Sequence, residues 1–191
     1  MPDPLKLEPS KTALVLIDLQ QGIIGMPVGP HSAADVLGRA TTLAERFRKV
    51  NAPVVLVRVS FGSGGIDALK QPTDTQPNLT RPAGWDQLSP ALGNDERDIR
   101  ITKHQWGAFY GTELDLQLRR RGVQTIVIGG ISTNFGVEST ARDAYERSYA
   151  LVFVEDAMAA MSADAHTFAV TTIFPRLGRV RSTQAVLDAL S

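Results

Sequence analysis

Cysteine is absent from all 191 residues, which excludes a disulfide framework, a thiolate metal site and a thiol nucleophile together. Net charge is absent as well, with 20 basic side chains against 20 acidic ones. A neutral chain without a basic run gives phosphate backbones and anionic membranes little to hold, so neither nucleic acid nor a membrane surface is an expected partner. No stretch reaches the roughly 20 apolar residues of a membrane span. The opening Met-Pro-Asp-Pro-Leu-Lys has no apolar core of a secretory leader. Trp85 and Trp106 stand alone in sequence, as core or pocket walls and not a stacking stripe for bases. These absences are those expected of a cytoplasmic globular domain.

What is present reads as one globular domain over residues 1–191. Hydrophobic residues make up 43% of the chain and charged residues 21%, enough to build a core and too apolar for a disordered chain. The apolar runs are short and rich in β-branched residues: 13–17, 53–59, 99–102, 125–130, 149–154 and 178–181. Unbroken apolar runs of this length mark strands buried on both faces, as in a parallel sheet covered by helices. Between them, Ser32 can cap a helix whose Val36, Leu37, Ala40, Leu43, Ala44 and Phe47 recur at helical steps. Thr112 and Asp115 resemble a capping box, with Gly122 as the stop. A helix is expected over 135–147, and Ser162 and Ser182 can cap two more. The alternation predicts a three-layer α/β/α sandwich. Residues 60–97 break the pattern with glycines and prolines, including Pro77. They form either a functional excursion or a surface meander with a short helix near 67–70.

In open parallel sheets, ligands bind beyond the carboxyl ends of the strands. Asp18 and Gln20 follow the first run, Arg58 and Ser60 close the second, and Lys103 follows the third. The run Gly130 to Gly136 follows the fourth. An acid and an amine brought together there suit proton transfer. Lys103 favours the ionised form of Asp18 and burial disfavours it, so sequence leaves the balance open. Asp18 can equally be a turn residue or helix cap, and Lys103 a solvated strand end. The loop after the fourth run could cradle an oxyanion on its N–H groups, or Thr133 or Asn134 could merely cap the next helix. Gln20, Arg58, Phe109, Ile131, Ser132, Asn134 and Phe135 are the substrate-binding candidates. Arg58, and Arg81 in the long loop, suit a carboxylate. The three histidines, His31, His104 and His166, lie far apart without ligand spacing, so no metal is expected. Serine-hydrolase, dinucleotide and P-loop signatures all lack required residues.

Three segments in order resemble the isochorismatase-like hydrolases: residues 13–20 (ALVLIDLQ), Lys103 with Ala108-Phe109 and Thr112, and 130–134 (GISTN) ahead of 137–144 (VESTARDA). Glu155-Asp156-Ala157 and the Ser162 to His166 segment extend the match over nearly the whole chain. The resemblance implies a six-stranded parallel sheet, a cis peptide at Ile131–Ser132, and a site of aspartate, lysine and usually a nucleophilic cysteine. It also implies a homo-oligomer, a dimer or tetramer, for which Trp106, Phe109 and Tyr110 are the possible anchors.

Where amidase members of that family carry the cysteine, this chain has Gly136. Glycine cannot form a thioester, so the acyl-enzyme route is closed. Isochorismatases proper also carry glycine there. In them the aspartate protonates an enol ether and water captures the cation. By that resemblance Asp18 is a general acid, Lys103 its electrostatic partner, and Gly136 leaves room for substrate, with no cofactor required. Two other readings stay open. One is water activation against a small amide or imine, and the other is a binding protein that kept the pocket and lost catalysis. The metal-binding histidines of nicotinamidases have no counterpart in residues 58–65.

Overall fold

In a computed structural model of the protein, residues 4–75 and 81–190 are described; Pro77 of the long loop lies outside them. Six strands, β1 (Thr12–Ile17), β2 (Val54–Val59), β3 (Ile99–Lys103), β4 (Thr125–Ile131), β5 (Ala150–Ala159) and β6 (Arg179–Arg181), pair in the order β3-β2-β1-β4-β5-β6. Every adjacent pair is parallel. The chain therefore starts in the middle of the sheet, winds outward to β3, and crosses β1 to fill the other side. Residues beyond the carboxyl ends of β1 and β4, its two central strands, flank the crevice where the winding reverses.

Strict alternation explains why the runs are apolar throughout. Ala13, Val15 and Ile17 of β1 face one helical layer, and Leu14 and Leu16 face the other. On the first face lie α3 (Leu114–Arg120), α4 (Glu138–Glu146) and α6 (Phe174–Leu177), while α5 (Ala163–Phe168) follows the end of β5. Leu114, Leu118, Ala141, Ala144 and Phe174 supply its core. On the second face lie α2 (Ala33–Lys49) and α7 (Thr183–Ala189), packed through Val36, Ala40, Leu43, Ala44, Phe47 and Val186. A single turn, α1 (Gln21–Ile24), follows β1. Among the described residues no helix is long and apolar enough to cross a membrane.

The serine caps form as their positions suggest. Ser32, Ser162 and Ser182 accept from the N–H groups of Asp35, Ala165 and Ala185. Three local expectations are corrected. The capping box at α3 does not form: Thr112 Oγ1 accepts from Leu114 N–H at 3.1 Å, while Asp115 is occupied by the Tyr149 hydroxyl at 2.8 Å. Residues 67–70 are not helical, because Asp67 turns back to accept from Gly62 N–H. The helix expected over 135–147 opens instead with a wider π turn, Thr133–Val137, because the Ser132 carbonyl accepts from both Phe135 and Val137 N–H.

Candidate active site

Asp18 is the residue at which β1 ends. Its φ of 54° turns the chain sharply, a conformation aspartate tolerates better than most residues, while its N–H still donates to Val57 and holds it to the sheet. Lys103 closes β3 on the same face. The two strand ends bring Lys103 Nζ to 2.8 Å from Asp18 Oδ2, with both residues buried. Lys103 also donates to the carbonyls of Gln105 at 3.1 Å and Trp106 at 2.7 Å. Its three protons are thus fully engaged, which fixes the ammonium in place. Asp18 Oδ1 is buried and has no hydrogen-bond partner.

Burial dominates the electrostatics of the carboxyl. Removal from water pushes Asp18 up to about 6, against the opposing pull of Lys103. The competition that sequence leaves open is therefore won by desolvation. A carboxyl held up to about 6, with one oxygen fixed by an ammonium and the other unclaimed, is able to donate a proton.

Gly136 faces this pair. A Cβ built at position 136 would stand 3.1 Å from Asp18 Oδ2 and 3.4 Å from Lys103 Nζ. Any side chain at this position would press on the acid and its ammonium. Thr140 ties the surroundings together, donating to the Gly136 carbonyl at 2.7 Å and accepting from Ala108 N–H at 3.1 Å. It links α4 to the loop whose carbonyls hold Lys103. Backbone carbonyls carry no residue signature, and Thr140 stands in the 137–144 segment with nothing in the sequence to mark what it bonds.

The remaining candidates divide. Ser132, Asn134 and Phe135 belong to the turn that carries Gly136. Ser132 Oγ donates to Asn134 Oδ1 at 2.8 Å, and Phe135 packs against Trp106 with ring centroids 4.8 Å apart. The Ile131–Ser132 peptide bond is cis. Neither Thr133 nor Asn134 caps a helix. The N–H groups of Phe135 and Val137 are spent on the Ser132 carbonyl, so these two cannot serve an oxyanion cradle.

Four candidates lie elsewhere. Gln20 pairs through its side-chain amide with both backbone groups of Val59, at 2.8 and 3.0 Å, gives its second proton to the Trp85 carbonyl at 3.4 Å and is fully buried, so it braces β2 and both its donors are engaged. Arg58 shares its face with Leu56, opposite the Lys103 face, and is held by Thr102 and Asp86. Phe109 is core, packed near Tyr149, which also removes it as an exposed oligomer anchor; Trp106 and Tyr110 are exposed. The Ile131 side chain is wholly buried in the α2 layer.

The comparisons with known proteins bear on this arrangement. Residues 12–185 match the isochorismatase domain. The chain belongs to the isochorismatase family. A relative from Escherichia coli, the uncharacterised isochorismatase family protein YecD, is 52% identical over 187 residues, covering 97% of this chain and all of that protein. The solved structure of an isochorismatase family protein from Burkholderia thailandensis superposes with a TM-score of 0.94 at 49% identity, covering 98% and 99% of the two chains. A ureidoacrylate amidohydrolase, RutB of Methylobacterium radiotolerans, is 30% identical over 181 residues, covering 82% of this chain and 70% of that protein. This isochorismatase-family chain is accordingly a hydrolase, with the three-layer α/β fold of its family.

Proposed function

We propose that this hydrolase cleaves a small enol ether, a compound of the isochorismate kind, by acid catalysis without a covalent intermediate. The observation that carries the reading is Asp18 itself, buried, held up to about 6, with Oδ2 on Lys103 and Oδ1 unclaimed. Oδ2 faces an ammonium that can only donate, so the acidic proton resides on Oδ1. That proton passes to the vinyl carbon of the substrate, and positive charge develops at the neighbouring ether carbon. Water adds to this carbon, and the hemiketal formed breaks into a ketone and an alcohol. The added water returns a proton to Asp18, so enol ether and water become ketone and alcohol with nothing left over.

Each neighbour has a part in this scheme. Lys103 stabilises the carboxylate formed when the proton leaves, and as an ammonium without a lone pair it cannot take the proton itself. Gly136 keeps a side chain off Asp18 Oδ2 and Lys103 Nζ, so nothing at this position presses on the acid or its partner as the substrate approaches. With no cysteine in the chain, a thioester cannot form, which sets this site apart from cysteine-dependent amide hydrolysis.

The test is isochorismate consumption, followed by NMR with metals chelated, for the wild type and Asp18→Asn. We expect turnover in the wild type and a loss of about 10²–10⁴-fold in the variant, with binding retained. Turnover that survives in Asp18→Asn would overturn the assignment of the acid. No turnover by the wild type would remove isochorismate and direct the search to amides, for which the amidohydrolase relative is the precedent. The rate should also fall as pH rises through about 6, because only the protonated carboxyl is competent.

A further inference from the structure

We infer that His31, Glu155 and His166 form a binding site for a divalent transition-metal cation of the zinc class. They come from three separate elements: the loop ahead of α2, the strand β5, and the helix α5. One ligand atom from each lies within 4.8 Å of the other two. His31 Nε2 stands 3.5 Å from Glu155 Oε2, and the two histidine rings meet edge-on with centroids 5.8 Å apart. Residues distant in sequence thus converge, and the lack of ligand spacing along the chain is no guide to them.

The donor chemistry selects the cation. Two imidazoles and one carboxylate suit zinc and its neighbours, whereas calcium and magnesium require oxygen. Three protein ligands leave a position for water. Tetrahedral donors at about 2.0–2.1 Å from zinc stand roughly 3.4 Å from one another, so the cluster must contract on binding. His31 and Glu155 are partly exposed and pair with each other, whereas His166 is buried. Its Nδ1 is held by Thr133 Oγ1 at 2.8 Å, which leaves Nε2 as the nitrogen open to a ligand. This is the outer-shell contact that sets the ring of a metal-bound histidine.

The contact with Thr133 gives the site a place in the molecule. Thr133 opens the turn that carries Gly136, so a cation bound at His166 braces that turn from behind. The cation stands outside the acid chemistry proposed above.

The experiment uses the full chain, stripped with chelator and titrated with Zn²⁺ by calorimetry, then with Co²⁺ by visible absorption. We expect one Zn²⁺ per chain and a Co²⁺ spectrum with the bands of inner-sphere nitrogen ligation. His31→Ala and Glu155→Gln change partly exposed side chains and should keep the wild-type circular dichroism. Each should weaken Zn²⁺ binding by more than about 100-fold, beyond the usual loss of an outer-shell partner. His104→Ala is the control and should bind as the wild type does, because His104 is held elsewhere, by Ser60 and Asp67. Absence of a saturable Zn²⁺ site would overturn the inference, as would folded His31→Ala and Glu155→Gln proteins that bind normally. Either result would reduce the cluster to an ion pair packed beside a buried histidine.

Discussion

Three protons of one lysine and two oxygens of one aspartate account for most of the site. Lys103→Met keeps the length of the side chain and removes its charge, leaving the Gln105 and Trp106 carbonyls without their donor and Asp18 without its partner. Loss of one member of a buried pair costs about 3–5 kcal/mol, measurable as a shift in the denaturant midpoint. The same change removes the force that holds the Asp18 carboxyl down, so its midpoint should rise above about 6. Any activity that remains should therefore extend to higher pH than in the wild type, and a pH–rate profile reads this directly. Gly136→Ala tests the space in front of the pair. Its Cβ would meet Ile17 Cγ2 at 3.0 Å and Asp18 Oδ2 at 3.1 Å, close enough to displace the acid and exclude substrate. We expect a folded protein whose kcat/KM falls by about 10²-fold, the usual effect of such a misplacement. A near-normal rate would show that substrate does not use this space.

Among the elements, the pairing of β1 with β4 controls the site, since Asp18 follows the one and Gly136 the other. The strands approach so closely that a Cβ at Gly130 would fall 2.1 Å from the Ile17 carbonyl oxygen, and the φ of 126° is itself foreign to other residues. Gly130→Ala should therefore cost at least about 3 kcal/mol, from backbone strain and overpacking together. Thermal or denaturant unfolding measures it; a loss under about 1 kcal/mol would mean that the strands can separate at little cost. The elements themselves were legible because their causes are local. Alternating burial leaves an apolar run, and Ser32, Ser162 and Ser182 mark three helix starts. The closeness of Asp18, Lys103 and Gly136 could be anticipated from position after the strands and from family resemblance; their roles are the proposal above. For Gln20 and Arg58, strand position says where a side chain starts, not what it bonds. Only the fold reveals that Gln20 spends its amide on Val59, or that Arg58 leaves on the opposite face. The joining of His31 with His166 has no local cause either.

The whole molecule registers the buried acid as a dependence of stability on pH. In the unfolded chain Asp18 has its ordinary value near 3.8, and in the fold it lies at about 6. Between those values the folded state binds more protons than the unfolded one, so stability falls as pH rises through the window. The contribution is complete below about 3.8 and lost above about 6. His166 acts in the opposite sense, because burial lowers its pKa and protonation there favours unfolding. A single melting curve for the wild type therefore mixes the two. The difference between wild type and Asp18→Asn separates them, since His166 contributes to both proteins alike and cancels. With melting temperatures measured from pH 4 to pH 8, the wild type should gain on the variant steadily as pH falls from about 6 toward 4. Above about 7 the difference should be flat. A flat difference across the whole range would mean that Asp18 titrates in the fold as it does in the unfolded chain, and the proton assigned to Oδ1 would not be there to give.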